Sequence, residues 1–74
     1  MSEMMMPCSY EAEQAVLGGL MLDNDRWDEV ILQISPEDLF SRPHRMVFRV
    51  MAELAGEGLP LDLITITERL ENRG

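Results

Sequence analysis

Apolar residues recur at helical spacing along most of this chain and alternate in one short stretch. Ala12, Ala15, Val16, Gly19 and Leu20 make one face of a helix expected to run from Ser9 to about Leu22, and Leu17, Met21 and Leu22 spread apolar character round its far half. The Ser9 hydroxyl is placed to cap free N–H groups, and Glu11 and Glu13 in the first turn favour the positive end of the helix dipole. Gly18-Gly19 conflicts with the pattern, because each glycine costs about 1 kcal/mol in a helix interior relative to alanine. Either the helix breaks there or another helix packs close. The flanking Val16, Leu17, Leu20 and Met21 favour an unbroken helix, since a turn would strand a strongly apolar segment on the surface.

Asp23, Asn24 and Asp25 form a polar turn suited to cap the next helix, and Trp27, Val30, Ile31 and Ile34 fall at i, i+3, i+4 and i+7, the spacing of an amphipathic helix. Trp27, in register with three aliphatics, reads as a core anchor rather than a ligand-stacking residue. Ser35-Pro36-Glu37-Asp38 is a start signal for a short helix closed by Leu39 and Phe40. Ser41-Arg42-Pro43 then restarts the chain for a helix to about Ala55. Val47, Val50, Met51 and Leu54, helped by Phe48, form its buried stripe, and Arg45, Arg49 and Glu53 its solvent face. Gly56-Glu57-Gly58 stops it. Ile64, Thr65, Ile66 and Thr67 alternate as a half-buried strand would, but no other segment alternates to pair with them. The preferred reading is a final helix capped by Asp62, with Leu63, Ile66, Thr67 and Leu70 inward.

The expected fold is all-α, a small bundle of four to five short helices without internal repeats. Its core is expected from Val16, Leu17, Gly19, Leu20, Trp27, Val30, Ile31, Ile34, Phe40, Val47, Val50, Met51, Leu54, Ile66 and Leu70. Residues 1–8 lack periodicity and read as a flexible terminus, with Met4, Met5 and Met6 as a frayed cluster or a sticky contact. With 74 residues the chain holds one small domain or a piece of one, and at this size it needs an economical helix-packed core or a partner.

Fourteen acidic residues against six arginines and no lysine leave a net charge of -8. Nucleic-acid binding depends on basic groups that replace phosphate counterions, so direct binding to DNA or RNA is not expected, and an acidic folded surface suits protein partners. No apolar run approaches the ~20 residues of a membrane span and the opening residues are unlike an export signal, which together read as cytoplasmic. The single cysteine, Cys8, has no second cysteine for a disulfide or metal pair and no basic neighbour to activate it.

Catalytic chemistry finds little to use. His44 is the one histidine, without a serine or cysteine at a spacing that fixes a partner, and reads as a surface residue. Asp23, Asp25 and Asp28 lack the glycine and the twelfth-position glutamate of a calcium loop and are better explained as caps. Gly18-Gly19 belongs to no phosphate-binding pattern. No catalytic, cofactor-binding or metal-binding residue is therefore assigned. Arg42, Arg45 and Arg49 cluster in this acidic chain, and form either a solvated helix face or a patch that contacts an acidic partner or a second copy.

Four motifs occur in order: Ser9-x-Glu11-Ala12-Glu13-Gln14-x-Val16-Leu17-Gly18-Gly19-Leu20-Met21-Leu22-Asp23-Asn24, Arg26-Trp27-Asp28, Arg42-Pro43-His44-Arg45 and Asp62-Leu63-Ile64-Thr65. Together they resemble the start of bacterial replicative DNA helicases of the DnaB type, over nearly everything from Pro7 to Gly74. The resemblance implies the amino-terminal collar domain of a ring hexamer, covered over residues 9–74 but incomplete, since the family collar continues into a further helix and a long helical hairpin. It implies helicase subunits as partners, with primase or loader, and a homodimer or higher oligomer. ATP and magnesium belong to the family's RecA-like motor; this chain has no Walker lysine and is not expected to hydrolyse ATP or unwind DNA. Without the further helix, apolar surface on the first and last helices is expected to stay uncovered, which favours dimerisation or marginal stability. Two other readings are kept: a stand-alone helicase-like adaptor, such as one from a mobile element, that binds host helicase or loader and modulates replication, and an unrelated helical dimer.

Overall fold

A computed structural model describes residues 9–73; the expectations for residues 1–8, including Cys8 and the methionine cluster, lie outside the described residues. The described chain folds as α1 (Tyr10–Leu22), a 3₁₀ turn (Asn24–Arg26), a single helical turn α2 (Trp27–Val30), a second 3₁₀ turn (Pro36–Asp38), α3 (Arg42–Gly56) and α4 (Leu63–Asn72). No strand occurs among the described residues, so the fold is all-α. The β-branched run that alternates in sequence is helical because Asp62 caps it, accepting a hydrogen bond from the Thr65 N–H at 2.8 Å.

Each boundary has a local cause. Ser9 opens α1 by accepting from the Ala12 N–H at 3.1 Å. At Ser35 the Asp38 carboxylate takes both the backbone N–H and the hydroxyl, and Pro36 presets the first position of the 3₁₀ turn. At the end of α3 the Leu59 N–H reaches the Leu54 carbonyl and the Gly58 N–H reaches Ala55, the paired closure that needs a left-handed residue, and Gly58 supplies it at φ +75.

α3 packs against α1, α4 and the second 3₁₀ turn. Leu17, Leu20, Trp27, Leu39, Phe48, Val50, Met51, Leu54, Leu61 and Ile66 are buried around it, with Val16, Val30, Ile34, Val47 and Leu70 partly buried against them. Trp27 and Phe48 meet with ring centroids 5.1 Å apart.

Three expected core residues lie elsewhere. The helix expected from Trp27 to Ile34 lasts one turn and passes into turn geometry at residues 31–33, before the extended Ser35 that Pro36 requires; Ile31 is half-exposed and Leu32 almost fully so. Phe40 is 74% exposed while Leu39 is buried, since the extended backbone at Leu39 turns successive side chains to opposite sides. Gly19 lies on the exposed side of α1. The helix runs unbroken through Gly18-Gly19, but an added Cβ at either would meet nothing within 4 Å, so no close packing accounts for the glycines among the described residues. In α4 the inward side is Ile66 and Leu70, not Leu63 and Thr67, which are exposed.

Candidate protein-interaction surface

Two polar fastenings hold the connectors in place. The first is Glu13, whose side chain is wholly buried. It accepts hydrogen bonds from the Phe40 N–H, the Ser41 N–H at 3.0 Å and His44 Nδ1 at 3.0 Å. The Tyr10 ring lies over His44 with centroids 4.4 Å apart. Burial pushes the Glu13 carboxyl up, but the bond to His44 and the two backbone N–H bonds outweigh it and hold the group below its ordinary value. His44 is thus buried rather than on the surface, and Glu13 is a fastening for the residue 39–41 connector as well as a first-turn acid. A sequence signal existed: Glu13 lies four residues before Leu17 and seven before Leu20, on the buried side of α1.

The carbonyl side of the same connector is held by Arg45, which donates from Nη1 to Leu39 O at 2.8 Å and Phe40 O at 3.0 Å. Arg49 instead pairs with Glu37 at 3.2 Å. The three-arginine patch therefore divides: two members are engaged within the chain, and Arg42 is exposed with no ion pair among the described residues.

The second fastening is Asn24. Its amide nitrogen donates to Leu20 O at 2.8 Å and Leu61 O at 3.0 Å, and its Oδ1 accepts from the Leu61 N–H at 2.9 Å. Asn24 thus ties the end of α1 to the connector before α4. The expected cap role of the Asp23–Asp25 turn yields to this long-range bond. No stretch of the 59–62 connector is periodic, so neither Leu61 nor its partner was visible in the pattern.

No three His, Cys, Asp or Glu side chains converge as a metal site among the described residues. No described helix is long and apolar enough to cross a membrane. The surface carries instead apolar side chains in the open: Leu22 is 92% exposed, Leu32 84%, Ile64 72% and Leu63 68%. A groove of about 360 Å³ runs between α1 and α2, floored by Ala15, Val16, Gly19, Leu20, Val30 and Ile34 and edged by Asp23, Arg26, Glu29 and Gln33. A second, of about 490 Å³, lies over Trp27 and Phe48.

The arrangement offers contact surface, and known proteins give it a family. Over 68 residues the chain is 54% identical to the replicative DNA helicase DnaB of Buchnera aphidicola from Acyrthosiphon pisum, a match covering 92% of this chain and 15% of that protein. It is 44% identical over 68 residues to the DnaB of Haemophilus influenzae, covering 92% of this chain and 14% of that one. With the Pasteurella multocida DnaB it shares 37% over 67 residues, 90% of this chain and 14% of the other. The chain thus spans about 15% of the length of these relatives. The family model described as the DnaB-like helicase N terminal domain matches residues 5–74, and the chain belongs to that family.

Proposed function

We propose that this domain assembles and docks proteins for a replicative helicase and performs no chemistry itself. The carrying observation is the set of large apolar side chains held in solvent by a capped helical scaffold, with Leu22, Leu32, Phe40, Leu63 and Ile64 each at least 68% exposed. Large apolar side chains held in solvent on a small domain support a role in contact with protein. The partners in this reading are helicase subunits, with primase or loader, in the cytoplasm. ATP and magnesium serve the motor of the parent helicase and are not bound by these residues. The net charge of -8 argues against direct contact with DNA.

The test is retention of purified Haemophilus influenzae DnaB by the immobilised chain, alongside an ATPase assay of the chain alone. Helicase held on the chain, with no ATP turnover by it, is the expected result. Helicase that washes through, or ATP turnover by the chain, overturns the reading.

A further inference from the structure

We infer that the groove over Trp27 takes an arginine side chain on a linear peptide of a partner protein, with a peptide carbonyl on the Trp27 indole N–H and the guanidinium on Asp28. This site rests on the contact role proposed for the domain and gives that role one ligand chemistry.

The first observation is a buried donor without a partner. Trp27 packs against Phe48 and is only 6% exposed, yet its indole N–H finds no hydrogen-bond acceptor among the described residues. A buried tryptophan ordinarily gives this hydrogen to an acceptor, because a donor left unpaired away from water is costly. Of the two grooves, only the one bounded by α2, the Ser35-Pro36 connector and the second half of α3 is lined by Trp27, so that groove is where an acceptor can approach the indole. A peptide carbonyl is such an acceptor.

The second observation is a demand for positive charge. Asp28, beside Trp27 in α2, lines the same groove with no hydrogen bond or ion pair among the described residues, and no arginine lines it. Ala55 and Gly56 bring in the last turn of α3, the negative end of a 15-residue helix that has no basic residue in that turn. The arginines of the neighbouring helix, Arg69 and Arg73, are paired with Glu53 and Glu57. The α1–α2 groove differs, because its edge already holds a cation, Arg26, paired with Glu29. Charge therefore singles out the groove over Trp27.

Between these polar points the wall is aliphatic, made by Ile31, Ile34 and Ala52. An arginine matches that order of surfaces: its methylene stem lies on apolar wall while its planar head takes both oxygens of a carboxylate. Trp27 and Asp28 are consecutive, so one residue of the ligand can meet both. A free polyamine would satisfy Asp28 but has no acceptor for the indole, and a neutral apolar side chain would leave Asp28 unmet. At about 490 Å³ the groove falls within the ~300–1,000 Å³ of ligand pockets. The net charge of -8 draws a basic peptide towards the domain from a distance.

Heteronuclear NMR titration of the full chain with the peptide acetyl-Leu-Arg-Leu-amide tests this. Trp27 is the only tryptophan, so the indole N–H gives one signal. That signal is expected to move downfield and saturate, with a dissociation constant on the order of 0.1–1 mM. Binding is expected to weaken at least fivefold when citrulline replaces the arginine, and equally in two variants of the chain. Asp28→Asn removes the charge, and Ala52→Leu fills the groove from an exposed helical position; circular dichroism and Tm verify that both fold. An indole signal unmoved by about 10 mM peptide, a citrulline peptide or a variant that binds as the native pair does, or spermidine moving the indole signal as far as the peptide does, overturns the inference. Retention of DnaB is a separate measurement, so a chain that holds DnaB but not the peptide loses this site and keeps its contact role.

Discussion

α3 and the connector before it are tied to α1, and α3 to α4, through carboxylates in both places, but at opposite depths. On the α1 side, Glu13 has no solvent exposure and takes three donors, two of them backbone N–H groups. On the α4 side, Arg69 bridges Glu57 at 2.7 Å and Glu53 at 3.3 Å, and Arg73 also reaches Glu53, all across a rim where these side chains are 28–50% exposed. The α3 and α4 sides contribute Leu54 and Ile66 to the buried cluster, and water can replace each ion pair lost at the rim. Nothing replaces the bonds to Glu13. The difference teaches that in this domain the buried carboxylate dictates where the backbone runs, whereas the exposed pairs decorate a contact that apolar packing has already made.

Removing Glu13 therefore gives the largest effect. In Glu13→Ala the part-buried N–H groups of Phe40 and Ser41 and the buried His44 ring lose their acceptor, and unsatisfied buried donors are among the most destabilising changes in a core. For a domain of this size a fall in Tm on the order of 10 °C is expected, with amide exchange accelerating first at Phe40 and Ser41. A shift of about two degrees, within the range of ordinary surface substitutions, would place the connector's support elsewhere.

The same site sets an acid limit. Because the Glu13 carboxyl is held below its ordinary 4.5 in the folded chain, its stabilising contribution is complete above that value and is lost as pH falls through the lower folded value. Glu37, Glu57 and Asp62 are lowered too, so the native chain loses stability in acid from several sites at once. Glu13→Gln keeps the shape and removes the titration. It is expected to be less stable than the native chain at neutral pH and to show a shallower decline of Tm below the ordinary value. Parallel pH profiles for the two proteins would show that the exposed acids, not the buried one, govern acid unfolding.

Asn24 supplies the neutral counterpart of Glu13: an exposed residue whose part-buried hydrogen bonds satisfy a distant backbone, without charge. Asn24→Ala leaves the Leu61 N–H and carbonyl without their partner and is expected to cost about 1–3 kcal/mol, read by urea unfolding with an unchanged slope. A loss smaller than that found for an exposed ion pair would mean that water reaches Leu61 and that depth, not charge, separates the two seams.

These fastenings also mark where the sequence was legible. The first, third and last helices, Ser9, Asp62, the Ser35 box and Gly58 were readable because each is set within about four residues of its own position, the distance over which caps and helical periodicity operate, whereas the helix expected from Trp27 to Ile34 is a single turn. Glu13 and Asn24 act across 27 to 37 residues, and no local pattern encodes a partner that far away. Both carry local roles as well, one as a first-turn acid and one as a turn residue, and those roles sufficed to explain them. Phe40 misled for a related reason: hydrophobicity predicts burial, but the extended backbone left room inside for only one of the Leu39-Phe40 pair. Gly18-Gly19 was legible as an anomaly, and no close packing among the described residues accounts for it, although Gly19 lines the open groove.

The smallest effect is expected at the α4 rim. Arg69 is bidentate to Glu57, with bonds of 3.0 and 2.7 Å, and these pairs raise its pKa well above the ordinary arginine value, so the guanidinium stays charged at every accessible pH. Its removal exposes Glu53 and Glu57 to water, which hydrates them at little loss, and leaves the Leu54 and Ile66 contact in place. Arg69→Ala should lower Tm by no more than a few degrees in dilute buffer, and the difference from the native chain should shrink in about 1 M salt, where screening reaches ~3 Å. The Glu13→Ala deficit, arising from hydrogen bonds to a fully buried carboxylate, should persist at that salt. If both deficits shrank together, Glu13 would be acting through long-range charge, and the division between a fastening that positions backbone and a rim that only decorates would collapse.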